Sequence, residues 1–144
     1  MILNKKIFPI LIFLLTTLFI SCTSEESAIK QVVSTYQNAM NQNDKNSIIE
    51  LFDNPSTYGL DVAFAMLDVY KEQGIKTSYA IDILDVKING NIAEAKLKTS
   101  VKYSGEDKET IKALQMFTPT VIDSVMTLRK ENNNWKIVAE KVIE

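Results

Sequence analysis

Residues 77–103 read TSYAIDILDVKINGNIAEAKLKTSVKY. Two runs alternate with period two, Thr77–Ile88 and Asn91–Tyr103, and Asn89-Gly90 lies between them. Alternation is the signature of strands with one buried face. Asn-Gly between such runs is a strong short-range hairpin signal, because both residues of its turn tolerate positive φ. A second hairpin follows the same logic, with Val121–Glu131 and Trp135–Ile143 meeting around Asn132-Asn133-Asn134. The lone Trp135 reads as a core residue of the last strand. Between the hairpins, KETIKALQMF (108–117) has helical spacing but marginal length.

Upstream the period changes to that of helices. In Ser27–Asn41, apolar residues fall at 29, 32, 33, 36 and 40, which places them on one face of a helix. Ser27 and Glu26 suit the N-terminus of that helix. Asp44 is placed to cap a second short helix through KNSIIELF, and Asp53-Asn54-Pro55-Ser56 ends it. Tyr58-Gly59-Leu60 reads as a short strand or a loop. Asp61 then stands as the cap of a third helix, VAFAMLDVYKEQ, closed by Gly74. Three helices followed by antiparallel strands define an α+β layer fold, in which the helices pack on one face of the sheet.

The chain opens on a different pattern. Lys5 and Lys6 precede an apolar run, Ile7–Ile20, which ends at Ser21-Cys22. A positive start, a short apolar stretch and a small residue before the cut form a secretory signal peptide, and the run is shorter than the roughly 20 residues of a spanning helix. Phe19-Ile20-Ser21-Cys22 resembles a bacterial lipobox, with Phe19 in place of the commoner leucine. That resemblance implies cleavage between Ser21 and Cys22 and acylation of Cys22 by palmitate-like chains. The division expected is a signal over 1–21, a lipidated Cys22 with a polar acidic tether over 22–27, and one domain over 28–144. Thr23-Ser24-Glu25-Glu26-Ser27 also resembles the acidic signal that sends some Bacteroidota lipoproteins to the cell surface. The localisation expected is the cell envelope, on the outer membrane, with the periplasmic or outer face left open.

Composition narrows the function. Loss of residues 1–21 removes two lysines and no acid, leaving 123 residues with 14 basic against 18 acidic side chains, net −4. This length suits one core. A mildly acidic chain without basic clusters argues against nucleic acid. The single cysteine, once acylated, leaves no thiol for a disulfide or a nucleophile. The absence of histidine removes the commonest general base and metal ligand together. No cofactor and no metal is expected.

The run VVSTYQNAMNQNDKNSIIELF (32–52), with Tyr36, Asn41, Asp44 and Ile48, resembles the opening of the nuclear transport factor 2-like superfamily, and MTLRKENNNWKIV (126–138) resembles its closing hairpin. The resemblance implies a cystatin/nuclear transport factor 2-like cone, in which a curved sheet wraps a long helix around a pocket. It also implies a homodimer through the sheet in some members. In the steroid isomerases of this superfamily a tyrosine acts with a carboxylate base. Tyr36 matches the tyrosine, and Asp53 or Asp61 would have to be the base. Helix caps explain Asp44 and Asp61 equally well, exposure on strands explains Asp82, Asp85 and Glu94, and a core or pocket wall explains Tyr36. The pocket residues expected are Tyr36, Met40, Phe52, Tyr58, Phe64, Tyr79, Tyr103 and Phe117. The function expected is non-catalytic binding of a small apolar ligand or a protein partner by a lipid-anchored domain. The alternatives are a lyase or isomerase using Tyr36 and Asp61, and a purely structural envelope lipoprotein.

Overall fold

The computed structural model describes residues 8–143 except Tyr58, with side chains from Ser24 onward apart from Thr57. The readings that fall on residues 1–7 and on the side chains of Ser21, Cys22 and Tyr58 lie outside the described residues. Among the described residues no helix is long and apolar enough to cross a membrane.

The elements follow the expected order: α1 (Phe8–Gln42), α2 (Lys45–Leu51), a 3-10 turn (Pro55–Thr57), α3 (Leu60–Glu72), β1 (Lys76–Asn89), β2 (Ile92–Ser104), α4 (Lys108–Phe117), β3 (Val121–Glu131) and β4 (Asn134–Val142). The four strands form one antiparallel sheet in the order β1-β2-β3-β4. Helix α1 lies across its concave face. The core is the seam between them: Ile29 and Val33 of α1, Ile48 of α2, Leu97, Met126, Leu128 and Ile137 of the sheet, all but closed to solvent. Trp135 is buried beside them, as its place in the strand pattern predicts.

Asp44 caps α2 by accepting from the Ser47 amide at 3.1 Å. Bonds from Ser47, first from its hydroxyl and then from its amide, hold the Asp44 carboxyl below the usual range. The third helix departs from expectation. Its N-cap is Gly59, at φ +64°, and no side chain caps it. Asp61 lies in the first turn, exposed, where it suits the helix dipole without capping. The left-handed conformation that opens α3 is one that glycine adopts without a Cβ penalty.

The two hairpin turns also exchange roles. The turn expected at Asn89-Gly90 is Gly90-Asn91, with positive φ at Gly90 and not at Asn91, the pattern of a type II′ turn with glycine first. It is Asn132-Asn133 that takes positive φ at both positions, at +47° and +66°, as a type I′ turn requires.

Two bulges bend the sheet. Ile83 pairs Leu97 while Asp85 pairs Lys96, so Leu84 is the extra residue of β1. Leu128 pairs Ile137 while Thr127 pairs Ala139, so Val138 is the extra residue of β4. A bulge reverses the facing of everything beyond it and increases local twist.

Helix α1 runs back through the acidic stretch 23–27. Glu25 accepts hydrogen bonds from the Trp135 indole at 2.7 Å and from the Lys130 ammonium. Lys130 and then Trp135 hold the Glu25 carboxyl below its ordinary range.

At its other end α1 completes the open edge of β1. The Asn41 side chain donates to the Tyr79 carbonyl at 2.9 Å and accepts from the Tyr79 amide at 2.7 Å. One turn earlier the Gln37 side-chain oxygen accepts from the Ile81 amide at 2.6 Å. Residues four apart on a helix thus act as a substitute strand. Each net hydrogen bond contributes about 0.5–1.5 kcal/mol, and these are partly solvated. Asn41→Ala is therefore expected to cost about 1–2 kcal/mol and lower Tm by roughly 5 °C. Asn41→Asp, which keeps an acceptor and loses the donor, should fall between in the same thermal melt.

Candidate functional site

The concave face and α1 leave a half-open cavity of about 360 Å³ where the sheet curls away from the helix. Tyr36 and Met40 of α1, Phe52 after α2, and Leu60 and Ala63 of α3 form one wall. Tyr79, Ile81, Thr99, Val101, Ile122, Glu140 and Val142 of the sheet form the other. The helical residues arrive here by spacing, because Tyr36 and Met40 are four apart and face the same way. The Tyr36 and Phe52 rings meet edge to face, 6.2 Å apart at 72°.

Glu140 is the one carboxylate among these described wall residues. Simple alternation from Trp135 and Ile137 through Ala139 would turn it to the outer face. The extra residue at Val138 instead pairs Glu140 with Met126, whose side chain is in the core, and so turns Glu140 to the cavity side, where it stays exposed to solvent. Its Oε1 accepts from the fully buried Ser124 hydroxyl at 2.8 Å. Burial, and after it the Glu140 charge, pushes the Tyr36 phenol well above its ordinary pKa. Burial likewise raises Tyr79, against a hydrogen bond with the Thr77 side chain that lowers it. The site thus combines an apolar body with two phenols held neutral and one carboxylate fixed by a buried hydroxyl.

Of the pocket residues expected, Tyr36, Met40, Phe52 and Tyr79 stand on this wall. Phe64 does not. It packs against the core from α3, beneath the Lys45 ammonium at 5.6 Å, and Lys45 in turn holds both oxygens of Asp68 at 2.7 Å. Tyr103 is paired edge to face with Tyr70, 6.0 Å away. Phe117 is 84% exposed on the outside of the molecule, beside Met116 at 70%. It ends α4, a helix with no buried residue, so amphipathic spacing there did not produce burial. Tyr58 lies outside the described residues. The two bases considered for Tyr36 are elsewhere: Asp53 holds Arg129 at 2.6 Å, and its amide donates to the Ile137 carbonyl at 3.1 Å, while Asp61 faces solvent at the start of α3.

This arrangement, a sheet curled around a long helix, recurs in solved structures. A protein of unknown function from Silicibacter pomeroyi, described as NTF-2 like, superposes with a TM-score of 0.58 at 16% identity, over 85% of this chain and 98% of that one. A second such protein, from Shewanella oneidensis, gives 0.58 at 13% identity, over 83% and 99%. The fold is nuclear transport factor 2-like. A Streptomyces avermitilis protein of the NTF2-like family, named there as a proposed dehydratase, gives 0.57 at 10% identity, over 82% and 94%. At these identities the likeness is one of fold, and a single fold hosts many functions. No protein-family model matches this chain, and no curated protein matches it.

Proposed function

We propose that this is a lipid-anchored envelope protein that binds a small, mainly apolar molecule in its cone without transforming it. The observation that carries this reading is the half-open cavity of about 360 Å³ with apolar walls and a single carboxylate, Glu140. That volume is at the small end of ligand pockets, which run from about 300 to 1,000 Å³. Glu140 is exposed to solvent while it lines this wall, and a carboxylate there favours a ligand that brings a proton donor or a positive charge through a charge-assisted hydrogen bond. The ligand class is therefore an apolar body with one amine or hydroxyl head.

The test is calorimetric titration of the isolated domain with octylamine and with octanoate. Octylamine should bind at least ten times more tightly, and Glu140→Gln should remove most of that tenfold preference, about 1.4 kcal/mol. Failure of both probes to bind, or equal binding by the unaltered protein, would sink the reading.

The lyase or isomerase reading draws on one observation, the sharing of this cavity by Tyr36 and Glu140. It would need Glu140 free of Ser124 or a second acid on the wall. Asp61, its candidate in the sequence, stands outside.

A further inference from the structure

The clasp at Glu25 fixes more than a helix. It joins the start of the domain to the tip of the β3–β4 hairpin through Trp135 and Lys130. The Lys130 amide also donates to the Asn91 carbonyl at 2.8 Å, which ties that tip to the β1–β2 turn. Ile29, one helical turn on, is fully buried and holds the helix in place behind the clasp. Cys22 precedes Glu25 by three residues, and three residues reach no more than about 10 Å even fully extended. Whatever path those residues take, a lipid on Cys22 leaves the chain within about 10 Å of Glu25.

The surface at this end suits a headgroup layer. Its two turns carry Asn89, Asn91, Asn132, Asn133 and Asn134, all neutral amides. Four of its acids lie against three bases, Glu25 on Lys130, Glu26 on Lys30 at 2.6 Å, and Glu131 and Asp53 both on Arg129 at 2.9 and 2.6 Å, and Lys136, donating to the Glu50 carbonyl, is a fourth base. The end presents hydrogen-bonding groups and little net charge, so anionic headgroups do not repel it. The cavity lies at the other end of the strands. The cavity wall includes Glu140, six residues along β4 from Asn134, and Tyr79, ten along β1 from Asn89, or roughly 20–30 Å at the rise of a strand.

We infer that the domain stands on a lipid surface on its two hairpin tips, with Glu25 as the joint, and that its cavity is held roughly 20–30 Å from the bilayer, facing away from it. This rests on the lipid anchor proposed above. It means that the ligand is exchanged with the aqueous compartment or with a partner there, not drawn directly from the membrane.

The experiment uses the full-length lipidated protein in vesicles of phosphatidylethanolamine and phosphatidylglycerol that carry a headgroup-nitroxide lipid. Acylation blocks Cys22, so one introduced thiol can be labelled with a fluorophore: Asn91→Cys at the hairpin end or Gln73→Cys at the cavity end. Quenching at 91 should exceed quenching at 73 several-fold, and Glu25→Ala should shrink that difference. Equal quenching, or stronger quenching at 73, in a chain whose mass shows an acylated Cys22 overturns the orientation alone. A chain whose mass shows an unmodified Cys22 overturns the anchor and the orientation together. An undiminished difference in Glu25→Ala removes Glu25 as the joint.

Discussion

On the lipid anchor proposed above, Cys22→Ser is expected to take the protein out of the acylated membrane fraction altogether. Among the substitutions considered, it carries the largest expected effect. Each buried methylene of an acyl chain contributes about 0.8 kcal/mol, yet one chain alone gives only marginal, reversible binding, and two or three are needed for stable attachment. A serine at position 22 takes no thioether-linked chain, so none of that attachment survives. Two readouts separate the outcomes. Mass spectrometry of the wild-type membrane extract should find Cys22 as an acylated first residue. The Cys22→Ser variant should appear either cleaved and soluble, or uncleaved and held only by residues 7–20. Unmodified Cys22 in soluble wild-type material would reject the anchor, and the fold would be untouched by that result.

Ile137→Ala has the largest expected effect on the folded domain. Ile137 is closed to solvent on β4, in the layer that holds Leu128, Met126 and Ile48. Its carbonyl, which accepts from the Asp53 amide, is unaffected by the change. What is lost is three carbons from a close-packed layer and the contacts around the void they leave. Such truncations cost about 2–5 kcal/mol, and this position, with the sheet on one side and α2 on the other, has little room to collapse, so about 3–4 kcal/mol is expected. Domains of this size have about 5–15 kcal/mol in all. The urea midpoint should fall by roughly 2 M. Val62→Ala, on the exposed side of α3 at 67% exposure, should stay within about 0.5 kcal/mol of the wild type. A midpoint for Ile137→Ala close to that of Val62→Ala would mean that the layer described here is not where the stability lies.

The strands and helices were legible because their periodicities are strong and change cleanly at Gly74. Tyr36, Met40, Phe52 and Tyr79 were legible as pocket residues for a related reason: they are large, they sit on inward positions, and they lie near the ends of their elements. Phe117 was misread because size and apolarity alone do not indicate which way a short helix between two strands will turn. Glu140 was missed through the same rule that found the strand. Alternation counted from Trp135 assigns it to the outer face, and only the pairing of Thr127 with Ala139 reveals the extra residue that reverses it. The bulge in β1 did leave a trace: Tyr79, Ile81 and Ile83 are odd-numbered, while Val86 and Ile88 are even, and that change of parity is a break in phase at Leu84. In β4 the sequence WKIVAEKV holds no such trace, because Val138 and Ala139 suit either face. The cap of α3 was misassigned because an acidic residue just inside a helix looks the same in sequence as one at its boundary.

The amides of Gln37 and Asn41 have a counterpart on the opposite side of the sheet. There Phe52 forms a parallel bridge to Ile137, and the Asp53 amide occupies the Ile137 carbonyl. Each outer strand thus meets covering groups from a helix or its exit. Bare strand edges are templates on which other extended chains add, the usual start of aggregation and of strand exchange between copies. An unfolded segment arriving there finds both backbone groups of Tyr79, the Ile81 amide and the Ile137 carbonyl already bonded. That shortens the stretch of each outer strand on which another extended chain could add.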